Sequence, residues 1–267
     1  MLEIPRLGFG TYGRTGPDGI AALECALATG YRHLDTAQSY HTESEVGAAI
    51  RNSGLPRDQV WVTTKIDMAN YGPGRLIPSL QASIDRLGLT PDLTLIHWPA
   101  PNGELPLAVY LDQIAEAKSL GLTREIGVSN FPIALLTEAV ALLGKGQILT
   151  NQFELNPLFR NDTLARFCQS AGILVTCYQP MAKGRIGGNA VAAAIAASHG
   201  ATAEQVALAW ELGRGYAAIP TSGRADRIAA NYAALRLTLT ADDIARLDAL
   251  DQSARSINPD WGPAWDV

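Results

Sequence analysis

The stretch Arg32-His33-Leu34-Asp35-Thr36-Ala37-Gln38-Ser39-Tyr40-His41-Thr42-Glu43 is an apolar run that stops abruptly at an acid, with a tyrosine five residues on and an acidic helix start behind it. Runs of this kind recur along the chain. After a first strand at 7–11, apolar segments at 31–35, 60–65, 93–97, 125–129, 149–152, 174–178 and 216–220 alternate with helix-period segments at 19–29, 43–52, 76–86, 107–119, 133–143, 162–170 and 190–212. Helices at 224–234 and 241–250 follow. Gly30, Gly54, Gly88, Gly121 and Gly172 stand where a helix end favours a left-handed residue. Continuously apolar strands joined by helices imply a parallel sheet covered on both faces. Eight such units in 267 residues suit an α/β (β/α)8 TIM barrel, read as a single domain over 1–267. A doubly wound open sheet has the same periodicity.

The strand ends decide between the two. Asp35, Lys65, His97, Ser129, Gln152 and Tyr178 close six successive strands, and the eighth runs into Thr221-Ser222. An open sheet would spread these groups along an edge, whereas a closed barrel makes them converge at its C-terminal rim. Gly8, Gly10 and Gly13 spell GxGxxG, but only a few residues precede them and 14–19 reads as loop. A dinucleotide fingerprint needs a full strand before it and a helix at its last glycine, so the Rossmann reading is rejected.

Composition narrows the function classes. Net charge −5 argues against a nucleic-acid footprint or a basic membrane face. Cys25, Cys168 and Cys177 have neither disulfide parity nor metal-ligand spacing, which points to a reducing compartment and no metal. No leader or bilayer-length apolar run is seen, so a cytoplasmic location is expected.

Taken singly, Lys65 reads as a snorkelling lysine, Asp35 as a turn residue, Tyr40 as a packed aromatic and His97 as a core histidine. At neighbouring rim positions they make a proton donor. An ammonium beside a phenol favours the phenolate and is expected to lower the Tyr40 pKa toward working pH. Asp35 compensates the buried Lys65 charge, and His97 is suited to orienting a carbonyl oxygen.

These residues resemble the aldo-keto reductase family. Asp35, Tyr40, Lys65 and His97 match its catalytic tetrad in order and context. The stretches 30–37, 127–131 and 151–157 look like its signatures. The segments 93–102, 117–131 and 258–266 are similar to its bacterial 2,5-diketo-D-gluconate reductase B branch. The resemblance implies NADPH-dependent reduction of small aldehydes and ketones, with 2,5-diketo-D-gluconate and methylglyoxal as expected substrates. It also implies a cofactor held by Ser129, Asn130, Gln152 and Tyr178 at the nicotinamide and by Ser222, Arg224, Arg227 and Asn231 at the adenosine 2′-phosphate and adenine. Tyr12, His97, Trp98, Trp261 and Trp265 are the expected substrate walls.

Departures from the family pattern bear on specificity. Thr221 stands where many relatives have a lysine toward the 2′-phosphate, which leaves room for NADH. Gln179 replaces a common serine, His41-Thr42 precedes Glu43 where asparagine is frequent, and Asp67 stands where many members have tryptophan. The expected partner is a small carbonyl substrate, with no nucleic acid and no membrane, for a monomeric enzyme. Two other readings use the same barrel: a Schiff-base aldolase on Lys65 and a non-catalytic NADP-sensing binding protein.

Overall fold

The computed structural model describes residues 3–253 and 255–266; Met1, Leu2, Ala254 and Val267, which the single-domain reading spans, lie outside the described residues. The strands are β1 Phe9–Gly10, β2 His33–Asp35, β3 Trp61–Ile66, β4 Leu93–Ile96, β5 Glu125–Ser129, β6 Ile148–Glu154, β7 Leu174–Tyr178 and β8 Ala217–Ala218. The helices are α1 Gly16–Thr29, α2 Glu43–Ser53, α3 Leu76–Leu87, α4 Leu107–Ser119, α5 Ile133–Leu143, α6 Asp162–Ser170, α7 Ala190–Ser198, α8 Ala203–Gly213, α9 Ala225–Ala233 and α10 Ala241–Asp248.

The strands run in sequence order from β1 to β8, each parallel to the next. A doubly wound sheet would reverse its order at a switch point, and this one does not. Leu7 bridges to Ala218 in parallel, and the amides of Gly8 and Gly10 donate to Ala218 and Pro220 carbonyls at 2.9 Å each, so the cylinder closes. This seam explains a glycine of the rejected fingerprint. A Cβ on Gly10 would stand 2.9 Å from the Ile219 carbonyl, too close for any larger residue to leave the seam undisturbed.

Sequence explains the elements. All six residues of β3 are buried, as expected of a strand rich in β-branched residues with helices outside it. Leu80 and Leu87 bury one face of α3, and Gly88, at φ 69°, ends the helix by donating to the Ile84 carbonyl. The buried apolar groups of strands and helices gather in two large clusters, one from Ile66 round to Leu247 and the other uniting β1, β2 and β8 with α1 and α2.

Three expectations need correction. The segment 14–19 is not all loop: α1 begins at Gly16, where the fixed φ of Pro17 suits a first helical turn. The helix expected over 190–212 is two helices, because Thr202 caps α8 in a reciprocal box with Gln205. The first and eighth strands shrink to two laddered residues each at the seam. Among the described residues, no helix is long and apolar enough to cross a membrane.

One core group stands out on energetic grounds. Glu211 of α8 is fully buried, and neither carboxylate oxygen has a hydrogen-bond partner among the described residues. Burial therefore pushes its pKa well above the carboxylate range and keeps it protonated. The folded state then binds one proton more than the unfolded chain, so this group's contribution to stability falls as pH rises above its unfolded pKa of about 4.3. Glu211→Met is expected to stabilise the fold by about 1–3 kcal/mol at neutral pH. It should also flatten the decline between mildly acidic and alkaline buffer. Denaturation midpoints of both proteins across that range check this, and parallel slopes would contradict it.

Candidate active site

Asp35 ends β2, and Lys65 lies at the end of β3 beside it; their side chains are 1% and 0% exposed. The Lys65 ammonium ion-pairs with Asp35 Oδ1 and donates to the Thr36 carbonyl at 2.9 Å. The other Asp35 oxygen accepts from Gln152 Nε2 at 2.8 Å, tying the acid to β6 across the barrel. Each charge thus meets a partner inside a medium that would otherwise reject it.

Tyr40 ends a short 3₁₀ turn, Gln38–Tyr40, pinned from below by Gln38. The Gln38 Oε1 accepts from the Asp67 amide at 2.8 Å and from Asn70 Nδ2 at 2.9 Å, while its Nε2 donates to Ser83 Oγ at 3.0 Å. Behind the turn, the Thr42 hydroxyl bonds with those of Thr11 and Thr36 at 2.8 Å each. Glu43, buried at the start of α2, accepts from Thr64 Oγ1 and Arg86 Nε. The Tyr40 ring consequently faces Lys65 and His97. Lys65 Nζ lies 4.9 Å from its centroid, and the Tyr12 and His97 rings meet it edge-on at 5.2 and 5.5 Å. His97 follows β4 directly, with Nδ1 3.4 Å from Ser39 Oγ and its carbonyl accepting from Asn130 Nδ2 at 3.1 Å.

The electrostatics depart from the expectation in one respect. Burial raises the Tyr40 phenol, and the opposing charge and hydrogen bond of Lys65 recover only part of that, so its pKa moves up rather than down. The phenol is a proton holder at neutral pH. Lys65, which burial alone would drive down, is carried above its ordinary value by Asp35 and then Tyr40, and stays an ammonium. His97 is pushed down to about 3 by burial and then by Lys65, so its imidazole is neutral. The set comprises a protonated phenol, a cation behind it and a neutral ring beside it: a donor aimed at one oxygen.

A cleft of about 910 Å³ runs from these groups to the start of α9. Of the residues singled out above, Asp35, Tyr40, His97, Tyr12, Trp98, Ser129, Asn130, Gln152, Tyr178, Ser222, Arg227 and Asn231 line it. Lys65 lies sealed beneath. Trp261 and Trp265 do not line the cleft; they stand behind Trp98, their rings at 5.1 and 6.0 Å from it. Arg224 is also absent from the lining; its exposed guanidinium makes a bidentate pair with Asp226 at 3.0 and 2.7 Å. Sequence reasoning passed over Lys183, Glu204, Asp226 and Ile257 on the cleft wall. Charges in loops and helix starts carry no pattern that singles them out.

Polar groups are spread along the cleft wall. Tyr178 hydroxyl donates to Asn130 Oδ1 at 2.8 Å, fixing both, and the Ser129 hydroxyl donates to the Gln152 carbonyl at 2.8 Å. With one Nε2 hydrogen committed to Asp35, Gln152 keeps the other and its Oε1 for a bound amide. Arg227 and Ser222 offer charge and hydroxyl to a phosphate at the far end. Among the described residues no group of three or more His, Cys, Asp or Glu is placed to hold a metal. A second cleft, about 560 Å³ among Ile4, Trp61 and Tyr216, has none of the tetrad on its wall.

A family model described as "Aldo/keto reductase family" matches residues 6–252. The chain is 44% identical over 267 residues to a Yersinia pestis protein named methylglyoxal reductase DkgB, covering 99% of this chain and 100% of that one. It is 36% identical over 259 residues to a 9,11-endoperoxide prostaglandin H2 reductase of Trypanosoma cruzi, covering 95% of this chain and 90% of that one. A solved structure named for a 2,5-diketo-D-gluconic acid reductase B superposes with TM-score 0.95 at 35% identity, covering 99% and 94% of the two chains. A Bombyx mori aldo-keto reductase in complex with NADP does so with TM-score 0.87 at 30% identity, covering 96% and 92%.

Proposed function

The chain belongs to the aldo/keto reductase family and is a carbonyl-reducing oxidoreductase, and from that premise we propose that it reduces methylglyoxal and related 2-oxoaldehydes, together with 2,5-diketo-D-gluconate, using NADPH in preference to NADH. The observation that carries this reading is the protonated Tyr40 phenol, backed by Lys65 and Asp35, at the head of a cleft that ends in Arg227.

A nicotinamide cofactor held by Tyr178, Asn130 and Gln152 would supply the hydride. Tyr40 holds the proton that the carbonyl oxygen receives. Lys65 stabilises the phenolate left behind, and Asp35 keeps Lys65 charged and in place. Neutral His97 orients the substrate oxygen without competing for the proton, and Trp98 and Tyr12 supply apolar walls. Tyr178 offers its ring face to the nicotinamide, while Asn130 and Gln152 offer amide partners to its carboxamide. Ser129 acts through the Gln152 backbone, and Asn231 and Ser222 complete the adenosine end. The enzyme acts as a monomer in the cytoplasm, whose reducing conditions suit its three unpaired cysteines.

The Schiff-base alternative is disfavoured by Lys65 itself. An amine nucleophile must be neutral and reachable, whereas Lys65 is fully buried, paired with Asp35 and held charged. Borohydride trapping of a carbonyl on Lys65 without nicotinamide would revive it.

With Thr221 uncharged and Arg224 occupied by Asp226, Arg227 is the guanidinium left for a 2′-phosphate. Arg227→Ala is expected to weaken NADPH binding about tenfold or more while changing NADH binding less than about twofold. Calorimetric titration of both dinucleotides checks this, with initial rates on methylglyoxal and diketogluconate for the wild type. An equal loss for both dinucleotides would overturn the assignment of Arg227. A wild type that binds NADPH but oxidises it with no carbonyl would be a binding protein instead.

A further inference from the structure

The carboxylate of Glu154 takes no part in the chemistry derived so far, yet it is among the most completely buried charges in the molecule. It ends β6, is 0% exposed, and stands two residues beyond Gln152 on the same face of the strand. Among the described residues, its side-chain oxygens have only backbone donors, both from the C-terminal tail. The Ser256 amide meets them at 2.9 and 3.0 Å and the Ile257 amide at 2.9 Å.

Other bonds hold the same tail. The guanidinium carbon of Arg255 lies 3.4 Å from the Trp265 ring centroid and 4.7 Å from that of Phe159. Asp266 accepts from the Ile133 amide at the start of α5 at 3.0 and 3.1 Å. Between these anchors, Ile257 lines the cleft and Trp261 and Trp265 back Trp98.

We propose that Glu154 is a positioning residue that latches the tail closed, so that Ile257 forms a fixed wall of the carbonyl pocket rather than part of a lid that opens with each turnover. The physical reason is the asymmetry of the contact. If the tail lifted, both amide donors would leave and the buried carboxylate would remain without another donor among the described residues. The tail is thereby committed to one position, and β6 supports the reaction centre through Gln152 and the pocket wall through Glu154. This inference rests on the carbonyl-reductase reading of the cleft.

The test uses the full chain with Glu154→Gln, which keeps the shape of the side chain, and with Arg255→Ala, which loosens the tail by removing its contacts with Trp265 and Phe159. Hydrogen exchange in the peptide spanning Ser256 and Ile257 should quicken about tenfold in Glu154→Gln. KM for methylglyoxal should rise about tenfold, with kcat reduced less than about threefold and NADPH affinity within about twofold of wild type. Arg255→Ala should move both readouts in the same direction by a smaller factor. A purely structural Glu154 would instead lower the melting temperature and the active fraction while leaving KM unchanged, and that pattern overturns the proposal. So do unchanged exchange and KM in Arg255→Ala, should Glu154→Gln fail to fold. If the wild type reduces no carbonyl, the reading of the cleft fails, while the exchange measurement still decides whether the latch exists.

Discussion

Tyr40→Phe is expected to lower kcat for carbonyl reduction by about a thousandfold while leaving NADPH affinity within about twofold, because the substitution deletes one oxygen and almost no volume. The ring remains wedged between Tyr12 and His97 and over Lys65. What disappears is the proton that the developing alkoxide must receive. The pH profile of the wild type belongs to the same argument. With Tyr40 shifted upward, the phenol keeps its proton through neutral pH, and the reductive rate should fall only on the alkaline side. His97, at about 3, should add no limb between about pH 5 and 9. Stopped-flow rates on both proteins test this, and a Phe variant retaining more than a tenth of wild-type turnover would remove Tyr40 from the mechanism.

Lys65→Met should have the second largest effect, on stability and rate together. It leaves the buried Asp35 carboxylate with Gln152 alone, a broken internal ion pair worth about 3–5 kcal/mol of destabilisation. The rate should fall about a thousandfold as well, since the phenolate left by proton transfer loses its cation. The double variant Asp35→Asn/Lys65→Met separates the two losses. Removing the stranded charge should restore most of the stability, read from denaturant midpoints, and none of the activity. A double variant that regained activity along with stability would show that Lys65 serves the fold and not the reaction.

The architecture and the meeting of Asp35, Tyr40, Lys65 and His97 at one end of the barrel were legible because both are written in short-range pattern. An apolar run ending in Asp35, Lys65 or His97 marks a strand tip, and repeated tips of that kind imply a closed rim. The direction of the Tyr40 shift was not legible, because it depends on how deeply the phenol is buried, which only the fold determines. The break between α7 and α8 was hidden by an alanine-rich sequence with good helix propensity on either side of Thr202. The occupation of Arg224 by Asp226 was overlooked because a basic helix start next to an acid has the same composition whether the pair is closed or open. Gln38 and Glu154 act through partners up to 103 positions away, and no periodicity reports such contacts.

Three of the five tryptophans, Trp98, Trp261 and Trp265, meet at the mouth of the barrel, while Trp61 and Trp210 lie elsewhere. The guanidinium of Arg255 lies against one of the three. Indole emission responds to nearby charge and to water, so this cluster makes the protein its own optical gauge of how the mouth is covered, readable without a dye or a label.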